Sequence, residues 1–153
     1  MLIREMTLED IAQAVEIEKS CFSTPWSENS FRDSIKREDT LFLVCEEDAL
    51  DSGKYITGYV GMYISFDEAN ITNVAVLPEY RKKGYANTLI SFAKERMREK
   101  EVEHIFLEVR VSNLPAISLY EKQGFQNLGV RKNFYDHPRE DAYIMCCDVI
   151  VQS

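Results

Sequence analysis

The stretch at residues 73–86, N-V-A-V-L-P-E-Y-R-K-K-G-Y-A, decides how the rest of the chain is interpreted. Residues 74–76 are predicted to end a β-strand, Pro78 stops it, and Gly84 closes a short basic loop before a helical pattern. The first amides of a helix have no intrahelical partner, and nearby basic side chains strengthen their attraction for an anion. Gly84 lets the backbone approach a ligand closely because it has no Cβ. The stretch therefore predicts a phosphate-binding turn.

Neither of the two common phosphate-binding motifs, G-x-x-x-x-G-K-[ST] and G-x-G-x-x-G, occurs in the chain. The motif that does occur is R-x-x-G-x-A, at residues 81–86, directly after the predicted strand. These six residues also fit an ordinary basic turn between a strand and a helix. The rest of the chain has to decide between the two interpretations.

Length and charge limit the classes of function. The 153 residues predict a single domain, 1–153, large enough to bury roughly 70% of its unfolded surface. The net charge of −8 disfavours binding to nucleic acid, which needs a basic surface, and favours a cationic peptide or amine as partner. The N-terminus lacks an apolar signal segment, and the longest nearly apolar run, residues 59–66, is too short to span a bilayer. We therefore predict a soluble cytoplasmic protein with no membrane contact.

The cysteines indicate neither a disulfide framework nor a metal site. The chain has four cysteines, no C-x-x-C pair and two histidines: Cys21, Cys45, Cys146, Cys147, His104 and His137. We predict free thiols in a reducing cytosol and no bound metal. Cys146 and Cys147 are adjacent and would point to opposite faces of a strand, and we assign them no redox role.

Hydrophobic periodicity predicts strands that alternate with four helices. The strands are predicted at residues 2–6, 41–46, 55–66, 71–76, 105–111, 125–131 and 142–151. Helices are predicted from Thr7 to about Lys19, after Ser27, after Gly84 and at residues 114–123. Residues 67–70 and 133–141 are predicted as connections. The second to fourth strands form an antiparallel meander, and the strand–helix–strand unit around the third helix favours a parallel crossover.

Two residues near the predicted phosphate site suggest chemistry. Glu108 lies in an otherwise apolar strand, where an ionised carboxylate is unfavourable unless it is paired or solvated in a cleft. Tyr120 lies on the helix that follows. Acyl transfer from a thioester to an amine needs a proton acceptor for the amine and a proton donor for the leaving thiolate, which a carboxylate and a phenol can supply. Backbone N–H groups of residues 74–76 are candidate donors to the carbonyl oxygen.

Each of these two residues also has a purely structural interpretation. Glu108 could face solvent or pair with the neighbouring Arg110, and Tyr120 could be a core residue of the helix.

Several segments together resemble the ribosomal-protein alanine N-acetyltransferase (RimI) family of the GCN5-related N-acetyltransferase (GNAT) superfamily. Besides residues 73–86, they are L-E-V-R-V-S-N-L-P-A-I-S-L-Y-E-K-Q-G-F at 107–125, R-K-N-F-Y at 131–135 and P-W-S at 25–27. The R-x-x-G-x-A motif is similar to the superfamily's pyrophosphate-binding motif, [QR]-x-x-G-x-[GA]. The resemblance covers nearly the whole chain, with Ala86 standing where relatives often have a second glycine.

The resemblance implies an α/β GNAT fold with a mixed, mostly antiparallel sheet of about seven strands. Helices would flank the sheet, which would splay between its fourth and fifth strands to admit acetyl-CoA. It further implies that Glu108 is the general base and Tyr120 the general acid. The implied contacts of acetyl-CoA are Val74, Ala75, Val76, Lys82, Lys83, Gly84, Tyr85, Ala86, Asn87, Asn113 and Tyr120. The implied substrate is the N-terminal alanine of the eighteenth small-subunit ribosomal protein, with residues 131–135 on the peptide side.

Two alternatives remain open from the sequence. The same fold could acetylate a lysine or a small polyamine, which the acidic charge would attract equally well. The chain could instead be a non-catalytic module that binds CoA.

Overall fold

A computed structural model describes residues 1–49 and 53–149, and its strands form one sheet of seven in the order β1-β2-β3-β4-β5-β7-β6. The strands are β1 (Leu2–Glu5), β2 (Thr40–Asp48), β3 (Lys54–Ser65), β4 (Glu68–Val76), β5 (His104–Arg110), β6 (Gln126–Tyr135) and β7 (Glu140–Asp148). The helices are α1 (Ile11–Cys21), α2 (Glu28–Ile35), α3 (Tyr85–Glu99) and α4 (Leu114–Lys122). β4 and β5 pair in parallel, and all other neighbouring strands are antiparallel. The predicted mixed sheet with flanking helices is confirmed.

The helices begin where local side chains satisfy the first backbone amides. The Ser27 Oγ accepts from the Ser30 N–H at 3.1 Å, and the Asn113 Oδ1 accepts from the Ala116 N–H at 3.3 Å. Before α1, the Asp10 carboxylate accepts from the Thr7 N–H at 2.7 Å. These caps depend on residues within one turn, so the helix starts could be predicted from sequence. Within the described residues, no helix has the length and apolar character to cross a membrane.

Two hydrophobic clusters cover the two faces of the sheet unequally. Helices α3 and α4 pack over β2 to β5 and β7 on one face, with Leu89, Ile90 and Met97 fully buried. Helices α1 and α2 pack on the opposite face, but their cluster includes strand residues from β2, β3 and β4 alone. The face of β5 and β7 beyond them carries half-buried side chains, Phe106, Glu108, Arg110, Ile144 and Cys146. We call this surface of β5, β7 and β6 the open face.

Two glycines allow β3 to bend. The register shifts between Cys45 and Glu46 on β2 opposite Gly58, and again at Gly61 between β3 and β4. A Cβ at Gly58 would lie 2.8 Å from the Ala75 carbonyl oxygen. A side chain at Gly58 would therefore clash with β4, and both glycines lie beside a register shift that bends the strand.

Two predicted connections are strands over much of their length. The turn between β3 and β4 is confined to residues 66–67, so most of the predicted connection 67–70 belongs to β4. β6 continues to Tyr135 and β7 begins at Glu140, which shortens the predicted connection 133–141 to a hairpin turn. β6 is the edge strand and almost all of it is exposed, so its polar composition resembled that of a loop. The predicted end of the last strand, residues 150–151, lies outside the described part of the chain.

Candidate active site

β4 and β5 separate after three register pairs. Glu68, Ala69 and Asn70 pair with residues 104–106, and the remaining residues of the two strands are not paired with each other. Thr72 is the extra residue of a bulge against β3, because Gly61 pairs with Asn73 and Met62 with Ile71. A bulge bends its strand and increases the local twist, which turns β4 away from β5. The predicted splay between the fourth and fifth strands is therefore present.

The backbone of β4 presents polar groups to this gap. The Leu77 N–H donates to the Thr57 carbonyl of the β3 region at 2.8 Å, so the polar groups of Val76 point away from β3. The Val76 carbonyl accepts from Arg81 Nε at 3.2 Å, which agrees with this orientation. The same alternation turns the Val74 N–H toward the gap and the Ala75 backbone toward β3. Of residues 74–76, it is therefore Val74 and Val76 whose amides can contact a ligand.

The basic turn has the geometry of an anion site. Gly84 precedes α3 with a φ of 86°, and a Cβ built there meets no atom within 4 Å. The Thr88 N–H donates to the Gly84 carbonyl at 3.0 Å, so the amides of residues 85–87 precede the first bond of the helix. Lys82 and Lys83 are exposed on the same turn. Open space, unpaired helix amides and two lysines together suit a pyrophosphate.

Other members of the predicted cofactor set have structural partners. The Tyr85 hydroxyl donates to Glu47 Oε1 at 2.7 Å, and this hydrogen bond raises the pKa of Tyr85 to about 12. Asn87 accepts two hydrogen bonds from Gln123 Nε2, at 3.2 Å to its carbonyl and 2.6 Å to its Oδ1. Ala86 is half-buried against the core. Asn113 caps the other end of α4, roughly 15 Å along that helix from Gln123.

Arg81, the first residue of the basic loop, is directed away from the anion site. Its Nε donates to the Val76 carbonyl, and its Nη2 lies 3.1 Å from Cys21 Sγ at the end of α1. Arg81 therefore connects the end of β4 to the end of α1. Lys82 and Lys83, which follow it, are the cations left exposed on the turn.

Glu108 lies on the open face beside the gap. Its side chain is 25% exposed, and its Oε1 lies 3.8 Å from Arg131 Nη1 on β6. This distance is too long for a hydrogen bond. The structure thus leaves the carboxylate partly solvated beside an arginine on the open face, and solvation makes a mid-strand glutamate tolerable.

The suggested pairing of Arg110 with Glu108 is wrong. Arg110 Nη1 lies 3.2 Å from Glu140 Oε1, and its guanidinium stacks 4.3 Å from the centre of the Tyr135 ring. It also donates to the carbonyls of Asp136 and Pro138 in the β6–β7 hairpin. Side chains two residues apart on one strand project side by side and do not turn toward each other. The β6–β7 hairpin, in contrast, lies against the Arg110 side chain.

The side chain of Tyr120 is buried, and its phenol stays protonated. It is 8% exposed and packs edge-on against Phe125, with ring centres 5.6 Å apart. Burial raises the pKa of Tyr120 well above its usual value, and Tyr135 raises it further. No hydrogen bond joins its hydroxyl to a described residue. The phenol is therefore kept protonated, as a proton donor must be.

Tyr135 interacts electrostatically with both candidate catalytic residues, although the sequence alone predicted no individual role for it. Burial raises its pKa to about 12, and the Glu108 carboxylate contributes to that shift. Tyr135 in turn contributes to the raised pKa of Tyr120. Its signal in the sequence was the segment at 131–135, assigned as a whole to the peptide side.

One end of the site is enclosed by the loop between α1 and α2. The Ser23 hydroxyl donates to the His137 carbonyl in the β6–β7 hairpin at 2.6 Å. The loop is anchored underneath by the buried Glu18, which accepts from the Trp26 N–H at 2.9 Å and from the Tyr59 hydroxyl. The buried Glu18 was not predicted, because a glutamate on an amphipathic helix usually faces solvent.

Comparison with known proteins identifies the family. The model of the acetyltransferase (GNAT) family matches residues 11–125. This chain belongs to that family. A Bacillus subtilis protein named putative [ribosomal protein bS18]-alanine N-acetyltransferase is 44% identical over 144 residues, which cover 94% of this chain and 92% of that protein. The Escherichia coli K12 [ribosomal protein bS18]-alanine N-acetyltransferase is 31% identical over 149 residues, covering 96% and 97%. The crystal structure of the ribosomal-protein-S18-alanine N-acetyltransferase from Escherichia coli superimposes with a TM-score of 0.89 at 29% identity, covering 99% of this chain and 96% of that one.

As a GNAT acetyltransferase, the protein uses acetyl-CoA, which supplies an acetyl group activated as a thioester. The residues described above fit this donor. The amides at Val74 and Val76 line a gap between strands, and the open space at Gly84 adjoins a helix N-terminus and two lysines. The chemistry of these groups therefore matches two parts of the donor, its thioester and its pyrophosphate.

Proposed function

We propose that this chain transfers the acetyl group of acetyl-CoA to the α-amine of a protein N-terminus, and that the N-terminal alanine of ribosomal protein bS18 is its substrate. The observation that carries the proposal is the half-buried Glu108 carboxylate beside the gap between β4 and β5, which has no hydrogen-bonded partner among the described residues. The relatives from Bacillus subtilis and Escherichia coli, whose names state this substrate, support the choice.

Glu108 is the proposed proton acceptor. An α-amine has a pKa of about 7.7 to 8.0 and is partly neutral near pH 7, whereas a lysine amine has a pKa of about 10.4. A carboxylate at 25% exposure can take the remaining proton directly or through water. Glu108 can therefore deprotonate an α-amine more easily than a lysine amine.

Tyr120 is the proposed proton donor to the departing thiolate. Its burial keeps the phenol protonated, and its hydroxyl is not engaged by a described residue. The N–H groups of Val74 and Val76 are the proposed donors to the acetyl oxygen, because they point into the gap. Residues 82–87 hold the pyrophosphate, and Asn113 completes the proposed contacts. Ala75 contributes by positioning Val74 and Val76, because its own backbone pairs with β3.

We also propose that the enzyme works in the cytoplasm as one domain spanning residues 1–153. All four cysteines are free, which suits a reducing compartment. Cys147 is buried and Cys146 half-buried on the opposite face of β7, so neither needs a redox role. The net charge of −8 suits a basic ribosomal protein as partner better than it suits nucleic acid.

The test is acetyl transfer to defined peptides. Purified protein is incubated with acetyl-CoA and a short peptide that carries the bS18 N-terminal sequence, and the acetylated position is located by tandem mass spectrometry. Matched peptides carry a blocked α-amine with a free lysine, or serine or methionine in place of the first alanine. We expect acetylation of the free N-terminal alanine.

Each alternative has its own outcome. Transfer to lysine in the blocked peptide, with none to the free alanine, would reassign the substrate to side-chain amines. Binding of acetyl-CoA in calorimetry without transfer to any amine would indicate a non-catalytic module.

A further inference from the structure

Three potential metal ligands meet on the open face, away from the candidate active site. They are His104 at the start of β5 and Cys146 and Asp148 near the end of β7. One donor atom from each lies within 4.8 Å of the others, and His104 Nδ1 is 2.7 Å from Asp148 Oδ1. The sequence predicted no metal site because these residues have none of the familiar spacings: His104 and Cys146 are 42 positions apart in the chain.

The sheet register holds the trio together. His104 pairs directly with Asp148, and Phe106 pairs with Cys146. Residues of directly paired positions share a face, and alternate positions on one strand share it too. The three side chains therefore project from two hydrogen-bonded strands in the middle of the sheet, a rigid base for a site.

We propose that His104, Cys146 and Asp148 bind a divalent transition-metal ion, with Zn²⁺ as the best match. Imidazole nitrogen, thiolate sulfur and carboxylate oxygen are the three ligand types that Zn²⁺ accepts, at about 2.0 to 2.3 Å each. Tetrahedral bonds of these lengths separate the donor atoms by about 3.3 to 3.6 Å, so the His104–Asp148 hydrogen bond opens by less than about 1 Å. Water fills the fourth position.

The surroundings favour a cation at this place. Glu68 pairs with His104 across the parallel β4–β5 contact and directs its side chain to the same face. His104 is 41% and Asp148 79% exposed, so both side chains can reorient around an incoming ion.

The site is separate from the proposed chemistry. His104 and Glu108 lie four positions apart on β5, roughly 13 Å along the strand. A bound ion would clamp β5 to β7 below the point where β5 leaves β4. The inference does not depend on the proposed acetylation, and it is tested without measuring activity.

The decisive experiment is titration of the metal-free full-length protein with Co²⁺, followed by absorption spectroscopy. A thiolate ligand gives a sulfur-to-cobalt charge-transfer band in the near ultraviolet, and a tetrahedral site gives intense visible bands. We expect both bands in the wild type and loss of the charge-transfer band in Cys146→Ser. Cys21→Ser is the matched control, because it removes another half-buried thiol and should leave the spectrum unchanged.

Calorimetry with Zn²⁺ gives a second readout. One ion per chain should bind the wild type, and His104→Gln and Asp148→Asn should each weaken binding by about tenfold or more. Circular dichroism of each variant checks that it is folded. The proposal is overturned if the wild type shows no charge-transfer band, or if Cys146→Ser keeps the band while Cys21→Ser loses it.

Discussion

Glu108 on β5 and Arg131 on β6 face each other across β7, with 3.8 Å between the carboxylate Oε1 and the guanidinium Nη1. Arg131 is 56% exposed, so solvent screens most of this attraction. The arginine lies beside the carboxylate on the open face but does not form a hydrogen bond with it. This arrangement leaves Glu108 able to accept a proton, and it motivates the first prediction.

Glu108→Gln should lower kcat by about 10²-fold or more, because an amide cannot accept the proton of the attacking amine. The dissociation constant for acetyl-CoA should stay nearly unchanged, since Glu108 lies on β5 and the proposed cofactor contacts lie mostly on β4 and α3. Peptide acetylation and calorimetry measure the two quantities. Glu121→Gln, on the exposed side of α4, is the control and should behave as wild type. Normal turnover of Glu108→Gln at neutral pH would remove Glu108 from the mechanism.

Tyr120→Phe should lower kcat by about 10²-fold, because phenylalanine cannot protonate the departing thiolate. The melting temperature should change little, since the Tyr120 hydroxyl makes no hydrogen bond with a described residue and the ring keeps its contact with Phe125. Because the pKa of Tyr120 is raised, wild-type kcat should not fall as the pH approaches the ordinary tyrosine pKa of about 10. Tyr143→Phe on β7 is the matched control. Full activity of Tyr120→Phe across this range would leave the residue a packing role alone.

Gly84→Ala should weaken the binding of acetyl-CoA and destabilise the fold by about 1 to 2 kcal/mol, because a residue with a Cβ is strained at a φ of 86°. The Cβ would meet no protein atom, so any loss of affinity beyond the loss of stability reports on the ligand. Chemical unfolding and calorimetry with CoA separate the two effects. Gly129→Ala, which also has open space but no positive φ, should change neither. Retained affinity in a folded Gly84→Val protein would show that the pyrophosphate lies elsewhere.

Asp10→Asn should destabilise the protein by about 1 to 3 kcal/mol near neutral pH, because it removes the negative charge and one of the two oxygens that accept from Arg4 at 2.7 and 2.9 Å. Burial would by itself raise the pKa of Asp10, but the hydrogen bonds from Arg4 and Thr7 outweigh it and hold the pKa below the usual range. A lowered pKa stabilises the fold above the unfolded value of about 3.9, and this contribution disappears as the pH falls through the lower folded value.

Urea unfolding between neutral pH and about pH 3 measures the effect. The difference between wild type and Asp10→Asn should shrink as the pH drops below about 4. Asp33→Asn is the control: Asp33 is exposed and its carboxylate has no hydrogen-bonded partner in the described part of the chain, so this variant should follow the wild-type curve. A constant difference in the free energy of unfolding over the whole range would show that the charge of the Asp10 carboxylate does not stabilise the fold.

The sequence by itself determined the features that depend on near neighbours. The caps at Ser27 and Asn113, the strand before the basic turn and the glycine at the start of α3 all follow from residues within one turn or one strand period. The R-x-x-G-x-A motif and the segment at 107–125 also carried the family resemblance, which the match over residues 11–125 confirms. The assignment of Glu108 and Tyr120 as catalytic residues stays a prediction.

Only the tertiary structure decided which distant residues meet. It set the bulge at Thr72 that opens the gap, gave Arg110 to Glu140 rather than to Glu108, and brought His104 beside Cys146 and Asp148. It also extended β6 through a stretch whose polar side chains resembled a loop. The physical reason is that strand register joins residues far apart in the chain, and a shift of one residue would turn every side chain to the other face.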